Sequence, residues 1–154
     1  MPSYYRDPDA PAPNVPRRVG VIALLERDGA VLVQRRADDG EWDLVGGRLD
    51  EDESVLDALH REVHEETGLR IADAELFGIY SDPTRIIEYP DETICRLLSI
   101  VFRARPEAGE PRPSDESFEL RFVGRDELAR LDVWPAVRPI RDAYLAGGGE
   151  VIVE

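Results

Sequence analysis

Three glutamates at the end of one helical segment are the residues of this chain that most directly indicate chemistry. Glu62, Glu65 and Glu66 lie just before Gly68, which is well placed to end a helix that begins after Ser54. At about 100° per residue, the three side chains fall within one arc of roughly 100°. Carboxylates there repel one another and oppose the helix dipole, by about 0.3–1 kcal/mol each. We therefore expect a bound hard cation, magnesium or manganese, to compensate them.

The same helical segment carries an apolar stripe and two histidines. Leu56, Leu59 and Val63 lie next to the acidic arc, which predicts that the helix packs against a core. His60 and His64 project away from the acids, and their order differs from the zinc-protease pattern. We expect both histidines to be exposed or partly packed rather than metal ligands.

Around this helix the chain resembles the Nudix box, whose pattern is Gly, five residues, Glu, seven residues, Arg-Glu, aliphatic, any, Glu-Glu, any, Gly, aliphatic. Every defined position is filled, by Gly47, Glu53, Arg61, Glu62, Val63, Glu65, Glu66, Gly68 and Leu69. Trp42 and the pair Gly46-Gly47 also match residues that often precede the box. Two positions depart from the family, with Val45 in place of a frequent proline and Asp52 in place of glycine. Neither departure removes a candidate ligand.

The resemblance implies an α/β fold, a Nudix-like α/β/α sandwich with a mixed sheet between the box helix and a C-terminal helix. It also implies metal-dependent hydrolysis of the diphosphate linkage in a nucleoside diphosphate joined to another moiety. Carried over by position, the ligands of Mg²⁺ or Mn²⁺ are Glu62, Glu65, Glu66 and the carbonyl of Gly46. Arg61 and Glu53 are expected to pair with each other and orient these carboxylates.

A general base must lie within reach of the attacking water. Any of the three box glutamates can serve, and many Nudix enzymes use a glutamate from a distant loop instead. In the loop before the last predicted strand we prefer Glu116 to Asp115 and Glu119, because Glu119 already lies at the edge of the strand.

Three arginines are candidates for binding substrate phosphate, since a guanidinium can bind two oxygens at once. Arg35 and Arg36 end a predicted strand on opposite faces, so one of them is expected to reach the substrate. Arg85 lies in a loop expected to border the site. The candidates for stacking on a base are Phe77, Tyr80 and Tyr89.

Apolar runs and turn residues predict the other elements. Strands are predicted at Val19–Leu25, Ala30–Arg35, Glu41–Val45, Ala74–Tyr80, Ile94–Arg103 and Phe118–Val123, and helices at Arg125–Leu131 and Val137–Leu145. The first two strands form a hairpin. Residues 1–17 contain five prolines and are predicted to be an extended arm, followed by one catalytic domain over 18–154. Tyr4 and Tyr5 can dock this arm on the domain or on a second subunit, which leaves a homodimer open.

Composition restricts the partners of the 154-residue chain. A formal charge of −14 argues against a nucleic-acid polymer or an anionic membrane, but not against a small phosphorylated nucleotide bound with cations. All 19 basic residues are arginine, which excludes mechanisms that need lysine. Cys95 is the only cysteine, and the N-terminal residues lack a secretion signal, so we expect a cytoplasmic protein.

Alternative functions remain open. Pro83, shortly after the box, is weakly indicative of relatives that cleave ADP-ribose. A second enzymatic hypothesis is hydrolysis of nucleoside triphosphates for pool sanitation. A third is a nucleotide-sensing module without turnover, which the filled acidic positions disfavour. An isoprenoid diphosphate isomerase would need further catalytic groups that are not evident.

Overall fold

The computed structural model describes residues 1–154 and contains nine β-strands, three α-helices and one 3-10 helix. The strands are β1 (Ser3–Tyr4), β2 (Arg18–Arg27), β3 (Ala30–Arg36), β4 (Trp42–Arg48), β5 (Ile71–Tyr80), β6 (Ile86–Glu88), β7 (Ile94–Pro106), β8 (Ser117–Val123) and β9 (Ile152–Val153). The helices are α1 (Val55–Thr67), α2 (Arg125–Arg130) and α3 (Arg138–Ala146), with the 3-10 turn at Pro135–Val137. The sequence patterns predict all of these except β1, β6, β9 and the 3-10 turn.

Strand β4 is inserted between the two strands of the predicted hairpin. β2 and β3 pair directly only beside their turn, through Glu26 with Val31 and Arg27 with Ala30. Beyond that point β4 runs antiparallel to both of them. The full order is β1-β6-β7-β2-β4-β3-β8, with β5 on β7 and β9 on β5. Since β2–β7 and β5–β9 are parallel pairs, the sheet is mixed, as expected.

Each face of the sheet carries its own apolar core. On one face α1 packs Ala58, Leu59 and Val63 against residues such as Val21 of β2. On the opposite face Ile140 of α3 joins the apolar side chains of β3 and β4. The molecule is therefore the α/β/α sandwich that the box helix and the C-terminal helix predict.

Helix α1 begins and ends where its sequence signals predict. The Ser54 hydroxyl accepts from the Asp57 N–H at 3.1 Å, and the Asp57 carboxylate accepts from the Ser54 N–H at 3.3 Å. Gly68 ends the helix with φ 73° and donates to the carbonyl of His64 at 2.8 Å. The predicted packing stripe is wrong at Leu56, which is 51% exposed, because the sheet covers α1 only after its first turn.

The N-terminal arm docks on the body of its own chain. Ser3 pairs with Ile87 of β6, and its hydroxyl accepts from the Ala136 N–H at 3.1 Å. Further along the arm, Asn14 exchanges hydrogen bonds with the backbone of Ile94. The arm thus covers the region of the 3-10 turn. None of the three helices combines the length and the apolar character needed to cross a membrane.

Candidate active site

A cavity of about 730 Å³ lies where β2 and β4 meet α1 and the loop before β8. Its acidic side chains are Asp38, Asp43, Glu62, Glu66, Asp115 and Glu116, and its basic ones are Arg18, Arg36, Arg48 and Arg85. Apolar and aromatic side chains complete the wall, among them Ile87, Tyr89, Leu97, Trp134 and Val137. The cavity therefore offers both charged and apolar contacts to a ligand.

Glu66 is the most deeply buried carboxylate of the box, with 6% of its surface exposed. Its Oε2 accepts from the Gly46 N–H at 2.9 Å and from Gln34 Nε2 at 3.2 Å. Burial raises the pKa of Glu66 well above its ordinary value, and the nearby Asp43 carboxylate adds to this rise. A buried carboxylate of this kind gains most from a cation.

Glu62 lines the same cavity next to the glycine pair. Its Oε1 accepts from Arg61 Nη1 at 2.8 Å, and burial still raises its pKa. A Cβ added at Gly47 would overlap the Glu62 carboxylate, and one added at Gly46 would overlap the Val21 carbonyl. The two glycines therefore let β4 approach both β2 and α1 closely.

Glu65 lies apart from its two neighbours. Its side chain is 59% exposed, it does not line the cavity, and it accepts from Arg61 Nη1 at 3.2 Å. The predicted arc is thus divided by the sheet, with Glu62 and Glu66 facing inward and Glu65 facing solvent. No three acidic, histidine or cysteine side chains are close enough to form a complete metal-binding group by themselves.

Arg61 and Glu53 form the ion pair that the box predicts. Arg61 Nε and Nη2 donate to the two carboxylate oxygens of Glu53 at 2.9 and 2.5 Å, which lowers the pKa of Glu53 to about 2. Arg61 also donates to the carbonyl of Arg48 at 3.0 Å. One guanidinium therefore connects the loop before α1, the end of β4 and Glu62.

The two arginines at the end of β3 separate as strand alternation predicts. Arg35 is exposed and donates to the carbonyl of Gly40, away from the cavity. Arg36 lines the cavity, donates to Asp43 at 3.0 Å and lies over the Trp134 ring at 4.5 Å. Of this pair, only Arg36 faces the site.

Arg85 is fully buried in the cavity wall, and protein atoms accept from it on three sides. It donates to the carbonyls of Tyr80 and Ala136 at 2.8 and 3.0 Å, and to the Ser99 hydroxyl at 2.9 Å. Burial lowers its pKa to about 10. Its guanidinium connects β5, β7 and the 3-10 turn and does not present a free fork to the cavity.

The loop before β8 brings two of its three acids to the cavity. Asp115 and Glu116 line it, whereas Glu119 does not and pairs with Arg121 at 3.4 Å. The Glu116 carbonyl accepts from the Ala37 N–H at 2.9 Å, which holds the loop backbone beside the end of β3.

Of the aromatic candidates, only Tyr89 lines the cavity, with the Arg18 guanidinium 4.5 Å from its ring centre. Tyr80 is fully buried, and Phe77 packs near Tyr144, with ring centres 6.4 Å apart. Sequence reasoning also missed Arg18, Trp134 and Gln34 of the cavity wall. Gln34 does carry a signal, since it is the first polar residue after the apolar run of β3.

A family model described as NUDIX domain matches residues 15–144, most of the chain. The chain belongs to the Nudix family. Its box supplies Glu62 and Glu66 to the cavity, and the rest of the Nudix fold supplies the opposite wall.

The chain is similar to proteins whose names indicate different activities. The chain is 39% identical to a MutT-like protein of Streptomyces ambofaciens over 69% of its own length and 62% of that protein. It is 32% identical to an ADP-ribose pyrophosphatase of Methanocaldococcus jannaschii, covering 73% of this chain and 65% of that one. It is 30% identical to the nucleoside triphosphatase NudI of Escherichia fergusonii, covering 79% of this chain and 92% of that protein. Among solved structures, a MutT protein of Methanosarcina mazei is 27% identical with a TM-score of 0.69. The match covers 86% of this chain and 94% of that one.

Nudix hydrolases generally use divalent metal ions, and the donors around the box fit such an ion. Glu62 and Glu66 are hard oxygen donors in one cavity, and the buried charge of Glu66 lacks a cationic partner. The buried Oε1 of Gln34, beside Glu66, has no hydrogen-bond partner. Mg²⁺ is usually bound in proteins by one or two carboxylates, with waters and substrate phosphates completing its coordination, and two inward glutamates fit this pattern.

Proposed function

We propose that this Nudix protein is a metal-dependent hydrolase that cleaves the diphosphate linkage of a nucleoside diphosphate joined to another moiety, with ADP-ribose or a sugar nucleotide as substrate. The observation that carries this proposal is the cavity in which two box glutamates, Glu62 and Glu66, face arginine and aromatic side chains. Carboxylates hold cations, arginines hold phosphate oxygens, and an aromatic ring can stack on a base.

The box residues would hold the cation. Glu66 and Glu62, with the carbonyl of Gly46, are the proposed ligands of Mg²⁺ or Mn²⁺. A bound divalent ion neutralises diphosphate charge and lowers the pKa of a bound water. Glu65, which is exposed and does not line the cavity, would join only through water or after movement of its side chain. Arg61 keeps Glu62 oriented while Glu53 holds Arg61 in place.

Two arginines differ in how free they are to bind phosphate. Arg36 is held by Asp38 and Asp43 and lies over Trp134, so it presents a fixed positive group. Arg18 has no acidic partner and lies over the Tyr89 ring, so its donors are available. We assign direct phosphate contact to Arg18. All three nitrogens of Arg36 donate to Asp38, Asp39 and Asp43, so Arg36 would reach phosphate only by exchanging one of these partners. Arg85 supports the wall behind them.

Glu116 is the proposed general base. It lines the cavity and is solvent-exposed, and its charge adds to the raised pKa of both Glu62 and Glu66. A carboxylate in this position can accept the proton of a water that attacks a phosphorus atom near the box. If Glu116 is not the base, the role returns to the box glutamates.

Hydrolysis of nucleoside triphosphates is the second candidate function. The relative named nucleoside triphosphatase NudI is matched over 92% of its own length. The same charged groups can bind a triphosphate, and a different bond would then break, releasing diphosphate and a nucleoside monophosphate.

A substrate screen tests the proposal and separates these candidates. Purified protein with magnesium is incubated with ADP-ribose, sugar nucleotides, dinucleoside polyphosphates, nucleoside triphosphates and a 5′-triphosphorylated RNA, and products are identified by chromatography. We expect a nucleoside monophosphate and a sugar phosphate from ADP-ribose or a sugar nucleotide, and no turnover in chelator. Diphosphate release from triphosphates alone would favour the second function. Full turnover in chelated buffer would refute metal dependence.

We further propose that the protein is cytoplasmic and that it can form a homodimer. The single cysteine suits the reducing cytoplasm, where nucleotide substrates are abundant. A homodimer stays a prediction, which light scattering coupled to size-exclusion chromatography would test directly.

A further inference from the structure

Gln34 of β3 contacts a carboxylate of α1 in the interior of the site. It is 5% exposed, lines the cavity and lies opposite Asp43 in the pairing of β3 with β4. Its Nε2 donates to the Leu44 carbonyl and to Glu66 Oε2, both at 3.2 Å. One amide group therefore contacts the backbone of β4 and a box carboxylate at once.

The orientation of the Gln34 amide follows from these partners. The Leu44 carbonyl and the Glu66 carboxylate only accept hydrogen bonds, so the NH₂ group must face them and uses both hydrogens there. The amide oxygen, Oε1, then points elsewhere and has no protein partner although it is buried. Leaving such a group unsatisfied costs about 1–3 kcal/mol, which indicates that it accepts from a donor outside the protein.

The same arrangement makes the two oxygens of Glu66 unequal. Its Oε2 accepts from two donors, the Gly46 N–H and Gln34 Nε2. Its other oxygen, Oε1, accepts no hydrogen bond from the protein. The carboxylate is thus anchored by one oxygen and presents the other in a fixed direction. Carboxylates that bind metals are commonly oriented in this way by hydrogen bonds from residues behind them.

We propose that Gln34 is a positioning residue, which fixes Glu66 through Nε2 and holds a water molecule of the cavity through Oε1. This inference rests on the proposed function, because it requires Glu66 to bind the divalent cation. Gln34 acts on the cation through Glu66 and the water, not by direct contact with substrate.

Manganese binding to the purified protein, followed by electron paramagnetic resonance, tests this role without turnover. Gln34→Met keeps the length of the side chain but removes the donor and the acceptor. We expect its Mn²⁺ affinity to fall about 10–100-fold, the usual cost of losing such a partner. The matched control is Leu32→Met, which puts the same side chain on β3 in the core outside the cavity. We expect this control to bind Mn²⁺ as the wild type does.

Kinetics supply a second readout. In Gln34→Met the magnesium concentration for half-maximal rate should rise by about 10–100-fold, while kcat at saturating magnesium changes much less. A purely structural defect would lower the active fraction without raising the magnesium requirement. If Gln34→Met does not fold, Gln34→Asn keeps the amide but is too short to reach both acceptors, and the same weakening is expected.

Comparison with Glu66→Gln separates failure of this inference from failure of the proposed function. Wild-type Mn²⁺ affinity in the folded Gln34 variants, with affinity lost in Glu66→Gln, would overturn the role of Gln34 and leave the function intact. Wild-type affinity in Glu66→Gln would instead refute the ligand assignment itself.

Discussion

Glu66 and Glu65 are adjacent in sequence but differ in burial and in their hydrogen-bond partners. Glu66 is buried and held by two donors, whereas Glu65 is exposed and contacts only Arg61. The sequence places both on one side of the helix, and the sheet then covers one and not the other. A pattern of spacing cannot show this difference, because it depends on where β4 crosses α1.

At Glu66 we expect the substitution Glu66→Gln to reduce turnover strongly while leaving the fold intact. The loss should be at least about 100-fold, the upper end of what indirect partners of a metal cost. In chelator the variant should melt at a higher temperature than the wild type, because the glutamine removes a charge that burial disfavours. Steady-state kinetics at saturating magnesium and thermal melts in chelator measure the two effects. A near-normal rate would contradict the assignment of Glu66 as a ligand.

At Glu116 we expect Glu116→Gln to lower kcat by about 10²–10⁴-fold, the usual contribution of a general base. Metal affinity and KM should change much less than kcat, since the Glu116 side chain makes no hydrogen bond to the box carboxylates or to a phosphate-binding arginine and acts on Glu62 and Glu66 only through its charge. The matched control is Glu119→Gln in the same segment, outside the cavity. A loss under about tenfold in Glu116→Gln, similar to the control, would return the base to the box.

At the scale of elements, the sequence predicts α1 almost to the residue because both of its ends carry a local signal. The Ser54 hydroxyl and the αL conformation of Gly68 act over one turn and need no tertiary context. The short strands β1, β6 and β9 have no such signal, because two or three residues cannot show a period. The position of Gln34 is marked by its polarity after the apolar run of β3, but its role is not, because only tertiary contacts give a lone amide its role.

The close approach of β4 to α1 depends on Gly47. We expect Gly47→Ala to displace the Glu62 carboxylate, since the new Cβ would occupy its place. The variant should lose about 1–3 kcal/mol of unfolding free energy, as overpacked sites do, and lose activity beyond what its folded fraction explains. Chemical denaturation and kinetics measure both. Gly149→Ala is the control, because a Cβ at Gly149 meets nothing within 4 Å. An active Gly47→Ala would show that Glu62 can move freely.

At the scale of the whole molecule, the Glu26 carboxylate connects two strands of the sheet with the C-terminal helix α3. Glu26 of β2 accepts from Arg103 Nε of β7 at 2.7 Å and from the Tyr144 hydroxyl of α3 at 2.9 Å. The Arg103 hydrogen bond, followed by that of Tyr144, lowers the pKa of Glu26 against the opposing effect of burial. The ionised form is thus favoured in the folded state.

The ion pair between Glu26 and Arg103 makes the free energy of unfolding depend on pH. Because folding lowers the pKa of Glu26, its contribution is present above the ordinary glutamate value of 4.5 and is lost as pH falls through the folded value. We expect Glu26→Gln to cost about 1–2 kcal/mol of unfolding free energy at pH 7, and the difference from wild type to shrink below pH 4.5. Urea unfolding across this range measures it, with the exposed Glu107→Gln as control. A difference independent of pH would contradict an ionic origin.

Cys95 gives the molecule a built-in reporter. It is the only thiol, it is buried on β7 beside β6, and burial raises its pKa, so a disulfide reagent can react only when these strands separate. The rate of thiol labelling therefore measures how often β6 and β7 separate at the part of the cavity wall that carries Ile87 and Leu97. A bound nucleotide that holds this wall closed should slow the labelling of Cys95. Ligands can therefore be ranked by how much each one reduces the labelling rate, without any need for hydrolysis.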